Sequence, residues 1–152
     1  MYCGLDNRSV AVDVLVGCFS MIRRETFEDV GLLDEKLFMY AEDVDWCRRA
    51  WRNGWQVIFF PGARAIHDRS SITASYPVRF ALDQQRSTLH YWKKYHGPLG
   101  TWALRMIMFV HHLLRYGFAL FETVFRSGAG TRCQTRKQVS SACLLELLFR
   151  KA

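Results

Sequence analysis

The segment from Trp102 to Phe125 most constrains what this chain can fold into, because its 24 residues are mostly Leu, Met, Phe, Ile, Val and Trp. That length is enough for a helix to cross a bilayer. On a helix, however, the polar side chains fall within one arc of about 120°; they are Arg105, His111, His112, Arg115, Glu122 and Arg126. A polar stripe beside a wide apolar face favours a helix that lies in the membrane interface, with a core-packing helix and a spanning helix as alternatives.

The charge of the chain is divided unevenly along its 152 residues. Residues 1–70 carry 9 basic and 11 acidic side chains, whereas residues 71–152 carry 12 and 3, so the net charges are −2 and +9. A basic back half favours contact with an anionic surface, such as lipid headgroups or nucleic acid. We do not expect nucleic-acid binding, because no such motif is present and the long helix is too apolar.

The five cysteines are odd in number and no two form a C-x-x-C pair. This pattern favours reduced thiols in a cytosolic protein over a disulfide framework or a zinc cluster. The first ten residues contain no apolar run of the signal-peptide type.

Short α/β elements are predicted first and helices only afterwards, with glycine and proline marking the boundaries. In the front part, the predicted elements are an extended segment Val10–Ile22 bent at Gly17, helices Arg24–Val30 and Asp43–Asn53, strands Gln56–Phe60 and Ala63–His67, and a loop at 32–41 between the helices. In the back part, they are a helix Pro77–His96 ended by Gly97-Pro98, the helix Trp102–Phe125, a linker Arg126–Ser141 and a helix Ala142–Lys151.

The acidic run from Glu42 to Asp45 is the densest candidate for chemistry. A carboxylate at a helix start can act as a general base, and it can equally cap the helix or compensate its dipole. Asp43 and Asp45 point about 200° apart on a helix, so they cannot serve one site equally. His67 ends a predicted strand, where a histidine is either structural or a metal ligand, and a metal would need carboxylates from elsewhere.

Three segments, 17–27, 30–35 and 38–49, are followed in order by Gly54-Trp55, Pro61 and His67. This ordered set resembles the acceptor-side half of family 2 glycosyltransferases, especially bacterial rhamnosyltransferase-like members. Their usual pattern is G-x-F-M-x-x-R-R, then G-x-F-D-E, then F-x-Y-x-E-D-x-D-L-x-x-R, then G-W, P and H, and the Met of the first motif lies one position later here, at Met21. Leu33 replaces the usual Phe and Trp46 the usual Leu, and both changes keep an apolar side chain.

The resemblance implies an inverting transfer from a nucleotide-sugar donor to a glycan or lipid-linked acceptor. It implies Asp43 as the catalytic base with Glu42 beside it. His67 would help to hold a divalent metal, Mg²⁺ or Mn²⁺, under the donor diphosphate. Gly17, Phe38 and Tyr40 would lie on the acceptor side, and Arg49 would have a structural role.

The family's donor-binding half with its D-x-D motif has no counterpart in these residues. We therefore expect an α/β chain comprising the C-terminal part of a GT-A fold followed by amphipathic helices. The expected divisions are 1–97 for the GT-A part, 98–126 for an interfacial helix, and 127–152 for a basic linker and short helix. Such a chain would be a fragment, inactive alone, at the cytoplasmic face of a membrane, and it would share its metal with the missing half. An inactive remnant and a membrane-surface binding module are the alternatives.

Overall fold

The computed structural model describes residues 8–67, 75–125 and 130–149. They form two compact units, which divide between residues 68 and 69. The sequence predicts one division that spans residues 1–97. In the structure, the helix that begins at Pro77 belongs to the second unit.

Two very short strands form the sheet of the first unit. Strand β1 (Val10–Ala11) pairs antiparallel with β2 (Ile58–Phe59), so that Val10 faces Phe59 and Ala11 faces Ile58. Both lie inside segments that the sequence predicts as extended. The predicted strand at 63–67 is wrong: these residues are exposed and have no strand assignment, and no described strand pairs with them.

The two helices of the first unit begin and end within a residue of their predicted limits. They are α1 (Arg24–Val30) and α2 (Glu42–Arg52). Gly31 and Gly54 follow them with φ angles of 81° and 82°, which glycine adopts without a side-chain clash. The packed core of this unit comprises Trp46, Cys47, Ala50 and Val57.

Side chains of α2 hold three successive backbone carbonyls at the end of α1. Arg49 donates hydrogen bonds to the carbonyls of Val30 (2.6 Å) and Leu32 (2.8 Å), and the indole N–H of Trp46 donates to the one between them (2.9 Å). Asp45 is fully buried, and its Oδ2 accepts a hydrogen bond from Arg49 Nε at 2.9 Å. The carboxylate of Asp45 therefore orients Arg49, and the expected structural role of Arg49 is visible in these contacts.

The second unit contains two helices, α3 (Pro77–Phe125) and α4 (Thr131–Phe149). Gly97 interrupts α3 with non-helical angles, φ 69° and ψ −172°. We call residues 77–96 the first arm and residues 98–125 the second arm. The predicted break at Gly97-Pro98 is confirmed, although the second arm begins before Trp102.

Contacts with α4 show that the chain reverses direction at this break. Arg86 pairs with Glu146 at 2.7 Å, and Arg105 donates to the carbonyl of Leu147 at 2.9 Å. Residues 19 positions apart on a straight helix would lie about 28 Å from each other, too far to reach one turn of α4. The two arms and α4 therefore form a three-helix arrangement.

The predicted linker is wrong over residues 131–141, because these residues form the first half of α4. The Cys133 thiol donates to the carbonyl of Ala119 at 3.2 Å, and Arg136 pairs with Glu122 at 2.8 Å. Packing against the second arm thus overrides a composition that resembles a linker. The rest of that prediction, residues 126–129 and Lys151, lies outside the described residues.

The polar stripe of the second arm faces α4 over much of its length, whereas a helix lying in the membrane interface would turn this stripe toward water. Arg105 and Glu122 contact α4, and His112 is half-buried. The opposite, apolar face is exposed instead; Ile107, Leu114 and Phe118 are 66%, 68% and 57% exposed. No described helix is long and apolar enough to cross a membrane.

We expect the second unit to lose stability as the pH falls below about 6.5, the usual pKa of histidine. Burial lowers the pKa of His112, and the charges of His111 and Arg115 lower it further. The fold therefore holds His112 neutral, and this contribution is complete above the unfolded pKa and is lost as protonation favours the unfolded chain. Thermal unfolding of the chain at pH 7.5 and pH 5.5 measures the effect.

His112→Gln should unfold with a smaller pH dependence than the wild type. The matched control, His96→Gln, changes an exposed histidine on the first arm and should keep the wild-type dependence. Equal pH dependence in His112→Gln and the wild type would contradict the assignment.

Candidate active site

A cavity of about 610 Å³ lies in the first unit between the two helices and the segment around Gly17. Its apolar wall comes from both helices and from the chain before β2; it includes Ile22, Phe27, Trp46 and Trp55. Glu42 and Asp43 bring carboxylates to the same cavity from the first turn of α2. An apolar pocket with a few polar groups is the usual form of a small-molecule site.

Asp43 is held at this cavity by two backbone N–H groups. Its Oδ2 accepts a hydrogen bond from Gly17 at 3.2 Å, and its Oδ1 accepts one from Val44 at 2.8 Å. Each carboxylate oxygen can accept more than one hydrogen bond, so the carboxylate retains the capacity to accept a proton. A Cβ at Gly17 would lie at an ordinary contact distance of 3.7 Å from Asp43 Cβ, so the backbone N–H is the contribution that the structure identifies for Gly17.

The backbone directly before the two carboxylates has an unfavourable conformation. Tyr40 and Ala41 have φ angles of 66° and 69°, in the left-handed region that residues with a Cβ rarely adopt. Ala41 is the N-cap of α2 and makes no side-chain capping hydrogen bond. Backbone strain of this kind is often concentrated at functional sites, where the surrounding structure imposes it.

Ala41→Gly should stabilise the first unit by about 1 kcal/mol, because glycine adopts the left-handed region freely and is a better N-cap than alanine. Urea unfolding of the chain measures the change. Ala63→Gly, in an exposed loop, is the control and should change stability by less than about 0.5 kcal/mol. A destabilised Ala41→Gly variant would show that this conformation is not strained.

Glu42 has a carboxylate oxygen, Oε2, that is buried and has no hydrogen-bond partner among the described residues. Buried polar atoms in native structures nearly always have a partner. Glu42 therefore offers an acceptor for a hydroxyl or another donor at the wall of the cavity.

Cys47 also lines the cavity, one helical turn after Asp43. Burial raises the pKa of its thiol, and the charge of Asp43 raises it further, against hydrogen bonds from the backbone. The thiol is therefore protonated near neutral pH, and this disfavours a role as a nucleophile. The sequence-based predictions do not include Cys47 or Trp46 as cavity residues. A signal for them is present, because positions 43, 46, 47 and 50 follow the spacing i, i+3, i+4, i+7 of one helical face.

The structure does not bring all the predicted site residues together. Gly17, Glu42 and Asp43 line one cavity, whereas Phe38 and Tyr40 are 70% and 40% exposed and do not line it. The acceptor-side role of these two aromatic residues remains a prediction.

His67 is exposed at the end of the first described range. No group of three His, Cys, Asp or Glu side chains that could hold a metal occurs among the described residues. These residues therefore do not fit a complete metal site, and the metal prediction depends on carboxylates from a D-x-D half.

Comparison with protein families identifies the chain. The model described as "Glycosyl transferase family group 2" matches residues 4–126. This chain belongs to that family. The family implies an enzyme of the glycosyltransferase class and the GT-A fold of nucleotide-sugar transferases. The described residues of this group 2 glycosyltransferase are mostly helical, with one small two-stranded sheet.

Three similar proteins are rhamnosyltransferases by name. The N-acetylglucosaminyl-diphospho-decaprenol L-rhamnosyltransferase of Mycobacterium tuberculosis is 32% identical over 111 residues, which cover 66% of this chain and 36% of that protein. The dTDP-rhamnosyl transferase RfbF of Shigella flexneri is 35% identical over 54 residues, 36% of this chain and 18% of that protein. Rhamnosyltransferase WbbL of Escherichia coli is 38% identical over 56 residues, 37% of this chain and 21% of that protein.

The group 2 glycosyltransferase chain therefore spans about a third or less of the length of these relatives. The comparison with solved structures gave no match.

Proposed function

We propose that this chain is the acceptor-side part of an inverting glycosyltransferase, the C-terminal part of a GT-A fold followed by amphipathic helices. The sugar would be rhamnose from a nucleotide-activated donor, and the acceptor a lipid-linked glycan. The names of the relatives support this choice, since they include a decaprenol-linked acceptor and a dTDP-rhamnosyl donor. The enzyme would work peripherally at the cytoplasmic face of a membrane.

The position of Asp43 at the cavity is the observation that carries the proposal. The acceptor hydroxyl oxygen forms a bond to the anomeric carbon of the donor sugar, and the bond from that carbon to the diphosphate breaks. Asp43 takes the hydroxyl proton as the new bond forms, and the nucleoside diphosphate leaves with the electron pair. General-base assistance of this kind contributes about 10²–10⁴-fold to a rate.

The remaining predicted residues have supporting roles. Glu42 Oε2, buried and without a partner among the described residues, accepts a hydrogen bond from the acceptor. His67 is the candidate ligand for Mg²⁺ or Mn²⁺ together with the D-x-D half, and Phe38 and Tyr40 are candidate platforms for the acceptor sugar.

The test compares the purified chain with a chimera that joins it to the donor-binding half of the Mycobacterium tuberculosis relative. Both are incubated with dTDP-rhamnose, Mn²⁺ and a soluble analogue of N-acetylglucosaminyl-diphospho-prenol. We expect no transfer by the chain alone and transfer by the chimera. Transfer by the chain alone would contradict the need for a donor half. A folded chimera that binds donor and transfers nothing would contradict the proposed function.

A further inference from the structure

The second unit exposes many large apolar side chains and buries several small or polar ones, although Val139 and Leu147 are buried as well. Its fully buried residues include Ser87, Ser140 and Cys143. Gln85 and Thr101 are also buried, at 3% and 8% exposure. Water-soluble helical arrangements normally bury mainly Leu, Ile and Phe. Helices that pack in lipid commonly meet through small and polar residues, because lipid solvates the large apolar side chains.

The exposed side chains of the second arm form one continuous surface, which we call the apolar face. It occupies an arc of about 160° on the helix and includes Trp102, Ile107, Val110, Leu114, Phe118 and Phe121, each at least half exposed. The packing of α4 explains why this face is left open, because α4 contacts the polar stripe on the other side of the arm. Exposed apolar surfaces of this extent mark interaction sites.

The second unit as a whole carries a net positive charge. The described residues of the second unit contain nine Lys and Arg against three Asp and Glu. Each acidic residue pairs with an arginine: Asp83 with Arg86, Glu122 with Arg136 and Glu146 with Arg86. Six positive charges therefore remain in excess, and they suit an anionic lipid surface.

We propose that the second unit docks on an anionic lipid bilayer through the apolar face, with the second arm lying in the interfacial layer. The inference rests on the membrane placement in the proposed function, and it names the surface responsible. In this arrangement the polar stripe contacts α4, and the apolar face enters the lipid.

The test is flotation of the full chain with vesicles of phosphatidylglycerol and phosphatidylcholine, and with phosphatidylcholine alone. The wild type should bind anionic vesicles at least tenfold more tightly than neutral ones, and high salt should weaken this binding. The double variant Ile107→Glu/Leu114→Glu should reduce binding at least tenfold. Both side chains are exposed, so circular dichroism should show an unchanged fold.

The matched control is Leu32→Glu/Ile66→Glu, which adds the same two negative charges at exposed apolar residues of the first unit. It should keep wild-type binding. Equal loss in the control and the double variant, or no binding by the wild type, would overturn the proposal. A wild type that dimerises without lipid while the double variant is monomeric would assign the apolar face to a second copy and would equally overturn it.

Sugar transfer by the chimera to a soluble acceptor requires no vesicles, so failure of the lipid inference is distinguishable from failure of the proposed function.

Discussion

Replacing Asp43 with asparagine is expected to lower the rate of sugar transfer by about 10²–10⁴-fold in the chimera that carries a donor-binding half. Asparagine preserves the size of the side chain and one oxygen that can accept a hydrogen bond from the N–H of Gly17 or Val44. Its amide cannot accept the proton of the acceptor hydroxyl. Donor binding should change by no more than a few-fold, because the change affects proton transfer in the transition state.

The measurements are the rate of rhamnose transfer at saturating donor and the dissociation constant of the nucleotide-sugar. Asp13→Asn is the matched control, because Asp13 is exposed and does not line the cavity. It should keep full activity. An active Asp43→Asn variant beside an inactive but stable Asp45→Asn variant would mean that the base is assigned to the wrong carboxylate.

Asp45→Asn is expected to destabilise the first unit by about 3 kcal/mol, the lower end of what removing one partner from a buried ion pair costs. Asp45 is fully buried, whereas the Arg49 side chain is 20% exposed and retains some solvent. Without the carboxylate, Arg49 loses the charge that orients it toward the carbonyls of Val30 and Leu32. If Asp45 only capped the helix, as the sequence alone would suggest, its loss would lower the stability by a smaller amount, about 0.5–2 kcal/mol.

Urea unfolding of the chain measures this loss, with Asp43→Asn as the control that should lose no more than about 1.5 kcal/mol. Arg49→Gln should cost a similar amount to Asp45→Asn. The double variant should cost clearly less than the sum of the two single variants, because the contact can be lost only once. Additive losses, or a loss below 1 kcal/mol in Asp45→Asn, would show that the pair does not stabilise the fold.

The first unit could be predicted well from the sequence where local signals decide the structure. Gly31 and Gly54 mark the ends of α1 and α2, and the acidic and basic ends of α2 agree with its dipole. The motif order predicts Asp43 and Glu42 as site residues, and both side chains line the cavity. Their contact with the segment at Gly17 joins residues 26 positions apart, so no local signal in the sequence predicts that distance.

The second unit was harder to predict, because its structure depends on which faces pack together. The amphipathic pattern of the second arm was correctly identified, but periodicity cannot say which of the two faces meets another helix. The N-terminal half of α4 looked like a linker, since its stability comes from contacts such as Cys133 with Ala119. The predicted strand at 63–67 likewise failed because a strand requires a partner that the described chain does not provide.

The three carbonyls held by Arg49 and Trp46 have a consequence for the dynamics of the site. The end of α1 and the helix that bears Asp43 are joined by contacts that must all break before either part can open. Local unfolding proceeds in cooperative units, and these two elements then belong to one of them. Hydrogen exchange of the backbone amides in α1 and in α2 should consequently report the same free energy of opening. Asp43, the proposed general base, keeps its orientation for as long as that unit stays closed.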